Sequence, residues 1–147
     1  MAEKNRFINR ILVPTDGSDP SIRAADYAIK LAKQFDSEII AIYVIDRLIL
    51  EEVSKIHERH VLEEEIKSKA QRCLNYVVNS AEKEGLKATS ILVEGQPHDQ
   101  IIQHARNLKA DMIIMGSRGR RGTERILIGS VAERVIEYAP CPVLVLR

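Results

Sequence analysis

The chain has 147 residues, 45% of them apolar and 29% charged, with 22 Lys and Arg against 21 Asp and Glu for a formal net charge of +1. That length holds one well-cored domain rather than two ordinary ones, so a single domain over residues 1–147 carrying one site is expected. The composition is that of a soluble globular protein, and the balanced charge offers no global field to attract nucleic acid or an anionic membrane.

Five short apolar runs recur in chain order, at Ile11–Val13, Ile39–Ile45, Ile91–Val93, Met112–Met115 and Val143–Leu146. They are continuous rather than alternating, as in parallel strands covered on both faces, and each gap between them supplies the crossover helix that parallel strands need. The first gap opens with Asp19 as an N-cap and Pro20 at the first helical position, then places Ile22, Ala25, Ile29 and Ala32 on one face. In the second gap Asp46 to about Lys55 reads as a loop, and a helix then runs to Glu84 and stops at Gly85. Its early part is charged, with Glu63, Glu64 and Glu65 ahead of Lys67 and Lys69, and reads as a solvated face. A third helix starts at Pro97 and carries Ile101, Ile102, Ala105 and Leu108; a fourth begins near Gly129 with Val131, Val135 and Ile136. The pattern predicts an α/β fold, an open doubly wound five-stranded parallel sheet with helices on both faces. A 3-2-1-4-5 strand order is a common solution for it, with a ligand crevice at the switch point between the first and fourth strands.

The longest apolar run, Ile39–Ile45, is far short of the roughly 20 residues that cross a bilayer. The first ten residues, with Glu3, Lys4, Arg6 and Arg10, lack the apolar stretch of a secretion signal, so no membrane contact and a cytoplasmic location are expected. Cys73 and Cys141 are far apart and outside any CxxC spacing, which points to reduced packing residues.

Directly after the fourth strand the chain reads Gly116-Ser117-Arg118-Gly119, then nine residues, then Gly129-Ser130 at the start of the last helix. Glycines let backbone N–H groups approach a ligand closely, and a helix start offers unpaired N–H donors at the positive end of its dipole. The Ser130 hydroxyl adds a donor, and Arg118, Arg120, Arg121 and Arg125 against Glu124 make the loop cationic. A polyphosphate suits that set, although it is not a P-loop, since no Gly-Lys-Ser/Thr follows. At the end of the first strand Pro14-Thr15-Asp16-Gly17-Ser18 brings Asp16 to the same crevice, where its carboxylate either accepts from ribose or base donors or serves turn and cap chemistry. The end of the second strand, near Val44, could offer backbone N–H and C=O to the edge of a base, a contact that leaves no signature in the sequence itself.

These residues resemble the universal stress protein family in its ATP-binding branch. The family's G-x2-G-x9-G-[ST] pattern is matched by Gly116, Gly119, Gly129 and Ser130, and the flanking text I-L-V-P-T-D-G-S at 11–18 and G-S-V-A-E-R-V at 129–135 agrees. The likeness is weakest from Asp46 to about Arg72. It implies the 3-2-1-4-5 Rossmann-like sheet and ATP or a related adenine nucleotide as ligand, with Mg2+ carried by the phosphates. It further implies that Pro14, Thr15 and Asp16 line the adenosine and that Val44 pairs with adenine through its backbone. Met115, Gly116, Arg118 and Gly119 would follow the ribose and phosphates, and Gly129, Ser130 and Val131 would hold the phosphate end.

Two function classes follow: a nucleotide-dependent stress-response or signalling module, and a slow ATPase or self-phosphorylating enzyme using the same pocket. Catalysis has little visible support, because no water-positioning group or nucleophile–base pair stands out. His57 and His60 show no third metal ligand, and His98 and His104 read as surface positions. Nucleic-acid binding by the arginine loop lacks interleaved aromatics. The uncharged Val143–Leu146 run is a sheet edge in this order, and an open edge of that kind invites a second copy, so a homodimer through it is expected. The protein partner of such a module is not encoded in the motif.

Overall fold

The computed structural model describes residues 7–119 and 127–147; Arg120, Arg121, Glu124 and Arg125 of the cationic loop, and Glu3, Lys4 and Arg6 near the start of the chain, lie outside the described residues. Among the described residues five strands and five helices follow one another: β1 (Arg10–Pro14), α1 (Asp19–Phe35), β2 (Glu38–Asp46), α2 (Arg47–Val53), α3 (Arg59–Lys83), β3 (Ala88–Gly95), α4 (Pro97–Asn107), β4 (Met112–Gly116), α5 (Ser130–Tyr138) and β5 (Val143–Leu146). The strands form one sheet in the order β3-β2-β1-β4-β5, and every pairing is parallel. The expected doubly wound architecture is therefore present.

Alternation along the central strands divides the core into two layers. Ile11 and Val13 of β1 and Ile39, Ala41, Tyr43 and Ile45 of β2 pack under α1 and α3, with Ala24, Ala28, Leu74 and Val77. Leu12, Ile40 and Ile42 turn the other way, onto Ile101, Ile102 and Ala105 of α4 and Ala132 and Val135 of α5. The alanines of α1 let that helix lie close on the sheet: Ala24, Ala25, Ala28 and Ala32 are all fully buried.

The structure corrects several local expectations. Ser18, not Asp19, caps α1: its side chain accepts from the Ser21 N–H at 3.4 Å, so Pro20 sits within the first turn. Ile22 is half-buried and Ser21 takes the buried position. The expected loop after Asp46 is largely the short helix α2, capped by the Asp46 side chain, which accepts from Leu48 N–H at 2.9 Å. On α5 the buried residues are Ala132 and Val135, while Ile136 is 47% exposed. β3 runs longer than Ile91–Val93 and is partly exposed throughout, because as an edge strand it is covered less completely than β1. His98 and His104 are half-buried rather than on the surface; His104 Nδ1 lies 2.8 Å from the Gln100 carbonyl oxygen. Among the described residues no helix is long and apolar enough to cross a membrane.

Candidate functional site

In a doubly wound sheet the crevice forms at the carboxyl ends of the strands where the order reverses, here between β1 and β4. The turn after β1 is built by short polar side chains. Asp16 Oδ1 accepts from the Ser18 N–H at 2.9 Å, an Asx turn, and Gly17 takes φ +81° to complete it. Thr15 continues the strand through its N–H to the Ile42 carbonyl at 2.9 Å, and its buried hydroxyl lies 3.3 Å from that of Ser21, whose own hydroxyl donates to the Ser18 carbonyl. The Pro14–Asp16 segment is thus tied to both β2 and the start of α1.

The motif glycines meet this turn from the β4 side. A Cβ on Gly116 would stand 2.8–2.9 Å from Pro20 and Ser21, so only glycine lets the end of β4 lie against the first turn of α1. A Cβ on Gly119 would stand 2.6 Å from Asp16 Oδ2, which puts the two halves of the candidate site in contact. The Gly129 N–H returns to the Ser117 carbonyl at 2.6 Å, so the chain after the cationic loop closes back on the Gly116–Gly119 turn. Gly129 is the N-cap of α5 and, having no side chain, supplies no side-chain acceptor to the first-turn N–H groups of that helix. Ser130 is exposed there, Val131 half-buried, and Met115 is buried in the layer beneath α4 and α5.

Val44 stands beyond the last β1–β2 bond. Successive residues of a strand turn their N–H and C=O to opposite neighbours. Because the Ile42 carbonyl faces β1, the backbone of Val44 does too, two residues past Pro14's register partner Ile42. The eleven residues singled out in the sequence therefore come from the carboxyl ends of β1, β2 and β4 and the start of α5. Their common features are a close-approach glycine backbone, a helix start with glycine at its N-cap and a carboxylate, which suit a ligand with phosphates at one end and hydroxyl or N–H donors at the other.

Homology agrees with the geometry. The family model described as "Universal stress protein family" matches residues 8–147. This chain belongs to the universal stress protein family. Universal stress protein MJ0531 of Methanocaldococcus jannaschii is 45% identical over 138 residues, 94% of this chain and 81% of that one. The solved structure of MJ0577, from the same organism, superposes with a TM-score of 0.83 at 31% identity, covering 95% of this chain and 96% of that one. A solved universal stress protein from Archaeoglobus fulgidus, in complex with dAMP, shares the fold with a TM-score of 0.69 at 21% identity, covering 97% of this chain and 99% of that one.

Other candidate groups lie apart from the crevice residues. His57 and His60 are exposed and His98 pairs with Asp99 at 3.3 Å, and no cluster of metal ligands occurs among the described residues. The charged face of α3 forms an open groove of about 830 Å3 lined by His60, Glu64, Lys69 and Arg72 among others, consistent with a solvated face. Three neighbours of the site were not legible in the sequence. Pro20 backs Gly116, Cys73 lies under Gly17, and Ser117 joins the loop to α5; each is a contact across the chain that no local spacing announces. Both cysteines are free and half-buried, and burial pushes each thiol's pKa up.

Proposed function

We propose that the crevice binds ATP or a closely related adenine nucleotide, and that one universal stress protein domain over residues 1–147 acts as a nucleotide-dependent stress-response or signalling module. The observation that carries this reading is the close approach of Gly119 to the carboxylate of Asp16, so tight that a Cβ on Gly119 would stand 2.6 Å from Asp16 Oδ2. It brings the phosphate-type half of the motif and the ribose-type half to one place. In this reading Asp16, with Pro14 and Thr15, receives the ribose, and Val44 offers its backbone to the adenine edge. Met115, Gly116, Arg118 and Gly119 follow the sugar and phosphates, while Gly129, Ser130 and Val131 hold the phosphate end, with Mg2+ carried by the phosphates. The dAMP complex of the A. fulgidus protein supports the compatibility of the fold with an adenine nucleotide.

Titration calorimetry of nucleotide-stripped protein with Mg-ATP tests it. A micromolar dissociation constant is expected, about −8 kcal/mol. Gly119→Val should abolish it, since the new side chain must displace the Asp16 carboxylate. A folded wild-type protein that takes up no nucleotide overturns the assignment. Phosphate release in the same samples, compared with Ser130→Ala, separates a bound ligand from a turned-over substrate.

A further inference from the structure

Among the described residues a single buried side-chain polar atom has no hydrogen-bond partner: the hydroxyl oxygen of Ser117. Ser117 is 1% exposed. Its backbone carries two long-range bonds. The N–H donates to the carbonyl of Leu146 at 2.5 Å, and the C=O accepts from the Gly129 N–H at 2.6 Å. The residue is thus clamped between the end of β5 and the N-cap of α5, in the middle of the turn that carries Gly116 and Gly119. A serine hydroxyl offers one donor and two acceptor sites, and burying it unpaired forfeits its hydration with nothing in return. Alanine would fit the same space without that cost.

Resting on the adenine-nucleotide reading above, we propose that Ser117 is a positioning residue of the nucleotide site, whose hydroxyl takes up its hydrogen bond when a phosphate-bearing nucleotide is bound. The hydroxyl is sealed from solvent in the present arrangement, so it does not touch the phosphates. It acts through the Gly116–Gly119 turn. When phosphate oxygens accept from the backbone around Gly119 and from the first turn of α5, those peptides settle about Ser117, and one of them becomes its partner. The orphaned hydroxyl disfavours the unliganded arrangement of the Gly116–Gly119 turn and the satisfied one favours the liganded arrangement. The effect is greatest at the phosphate end, because Ser117's backbone bonds run to β5 and to the N-cap of α5, whereas Asp16 and Val44 of the adenosine side stand at the ends of β1 and β2.

The test compares wild type, Ser117→Ala and Ser117→Cys by calorimetry with Mg-ATP and with adenosine, beside melting of the unliganded proteins. Alanine removes the hydroxyl and cysteine keeps the volume without a strong donor. Both variants should lose about fivefold or more in ATP affinity, the scale of one hydrogen bond. Adenosine affinity should stay within about twofold, and unliganded Ser117→Ala should melt no lower than wild type. Unchanged ATP affinity in both variants overturns the inference. So does full affinity in Ser117→Cys alone, which would make the effect one of space, or an equal loss for adenosine, which would make it a general loosening. Failure of both variants to fold marks Ser117 as structural and also overturns it. Absence of ATP binding by wild type overturns the nucleotide reading itself, a different result from binding that the variants leave unchanged.

Discussion

A Cβ at Gly17 would stand 2.8 Å from the Cys73 sulfur, and its φ of +81° is one that side chains rarely adopt. The turn that presents Asp16 therefore rests directly on a thiol of α3. Burial raises the Cys73 pKa above its ordinary 9.0, the nearby Asp16 charge adds to the rise, and Arg72 partly offsets it. A raised thiol pKa favours the protonated form in the fold. The folded state then holds its proton where the unfolded chain has lost it, so this contribution to stability is intact below about pH 9 and is lost as pH climbs through the folded value. Urea unfolding of wild type and Cys73→Ala from pH 8 to 10.5 should show the wild-type midpoint falling more steeply above about pH 9. Parallel curves would mean the thiol ionises alike in both states. Cys73 alkylation by iodoacetamide should likewise stay slow at neutral pH, since the thiolate is the nucleophile. The glycines and Asp16 were legible because the motif repeats fixed spacings; the thiol beneath them was not, because Gly17 and Cys73 are brought together only by the packing of α3 on the sheet.

The helices show what periodicity can and cannot convey. α1 was legible as a helix because Ala25, Ile29 and Ala32 repeat at helical spacing, and all three are buried. Its start was misplaced by one residue, since Ser18 and Asp19 are both good caps and only geometry chooses between them. α2 was missed: it has seven residues and buries none of them, so its apolar positions follow no core-facing period. Asp46 ahead of a run of helix-forming residues was the available signal. α3 buries Ala70, Leu74, Val77 and Ala81 and nothing ahead of Ala70, which agrees with a charged, solvated early part. On α5 the small Ala132 took the core position that the sequence suggested for Ile136, since exposure there depends on where the helix sits over the sheet. The start of α1 also backs the site, as Gly116 lies against Pro20 and Ser21. Ser18→Ala should cost about 1 kcal/mol in urea unfolding by removing the cap. It should weaken nucleotide binding less than Gly119→Val does, because the backbone of the crevice keeps its contacts. A loss of affinity as large as that of Gly119→Val would show that the cap itself holds Asp16 in place.

At the scale of the molecule the parallel sheet leaves two open edges, β3 and β5. The buried central strands were legible as unbroken apolar runs; the edges read the same way in sequence, although β3 and β5 are only partly buried, because composition does not say how many neighbours a strand has. β5 carries no charge and its far side pairs with no strand among the described residues. Its ladder parity is defined: the carbonyls of Pro142 and Leu146 accept from Ile113 and Ser117 on the β4 side. Val143 and Val145 therefore turn their N–H and C=O groups outward. Antiparallel pairing of two such edges about a two-fold axis would close both at once, the arrangement we propose for a homodimer. Val145→Pro separates this interface from the fold, since proline removes an outward N–H and leaves the β4 ladder intact. Light scattering of wild type should give twice the 16.6 kDa chain mass, and the variant should give the chain mass with an unchanged far-ultraviolet circular dichroism spectrum. A variant that stays dimeric would move the interface off β5, and a monomeric wild type at micromolar concentration would remove the dimer altogether.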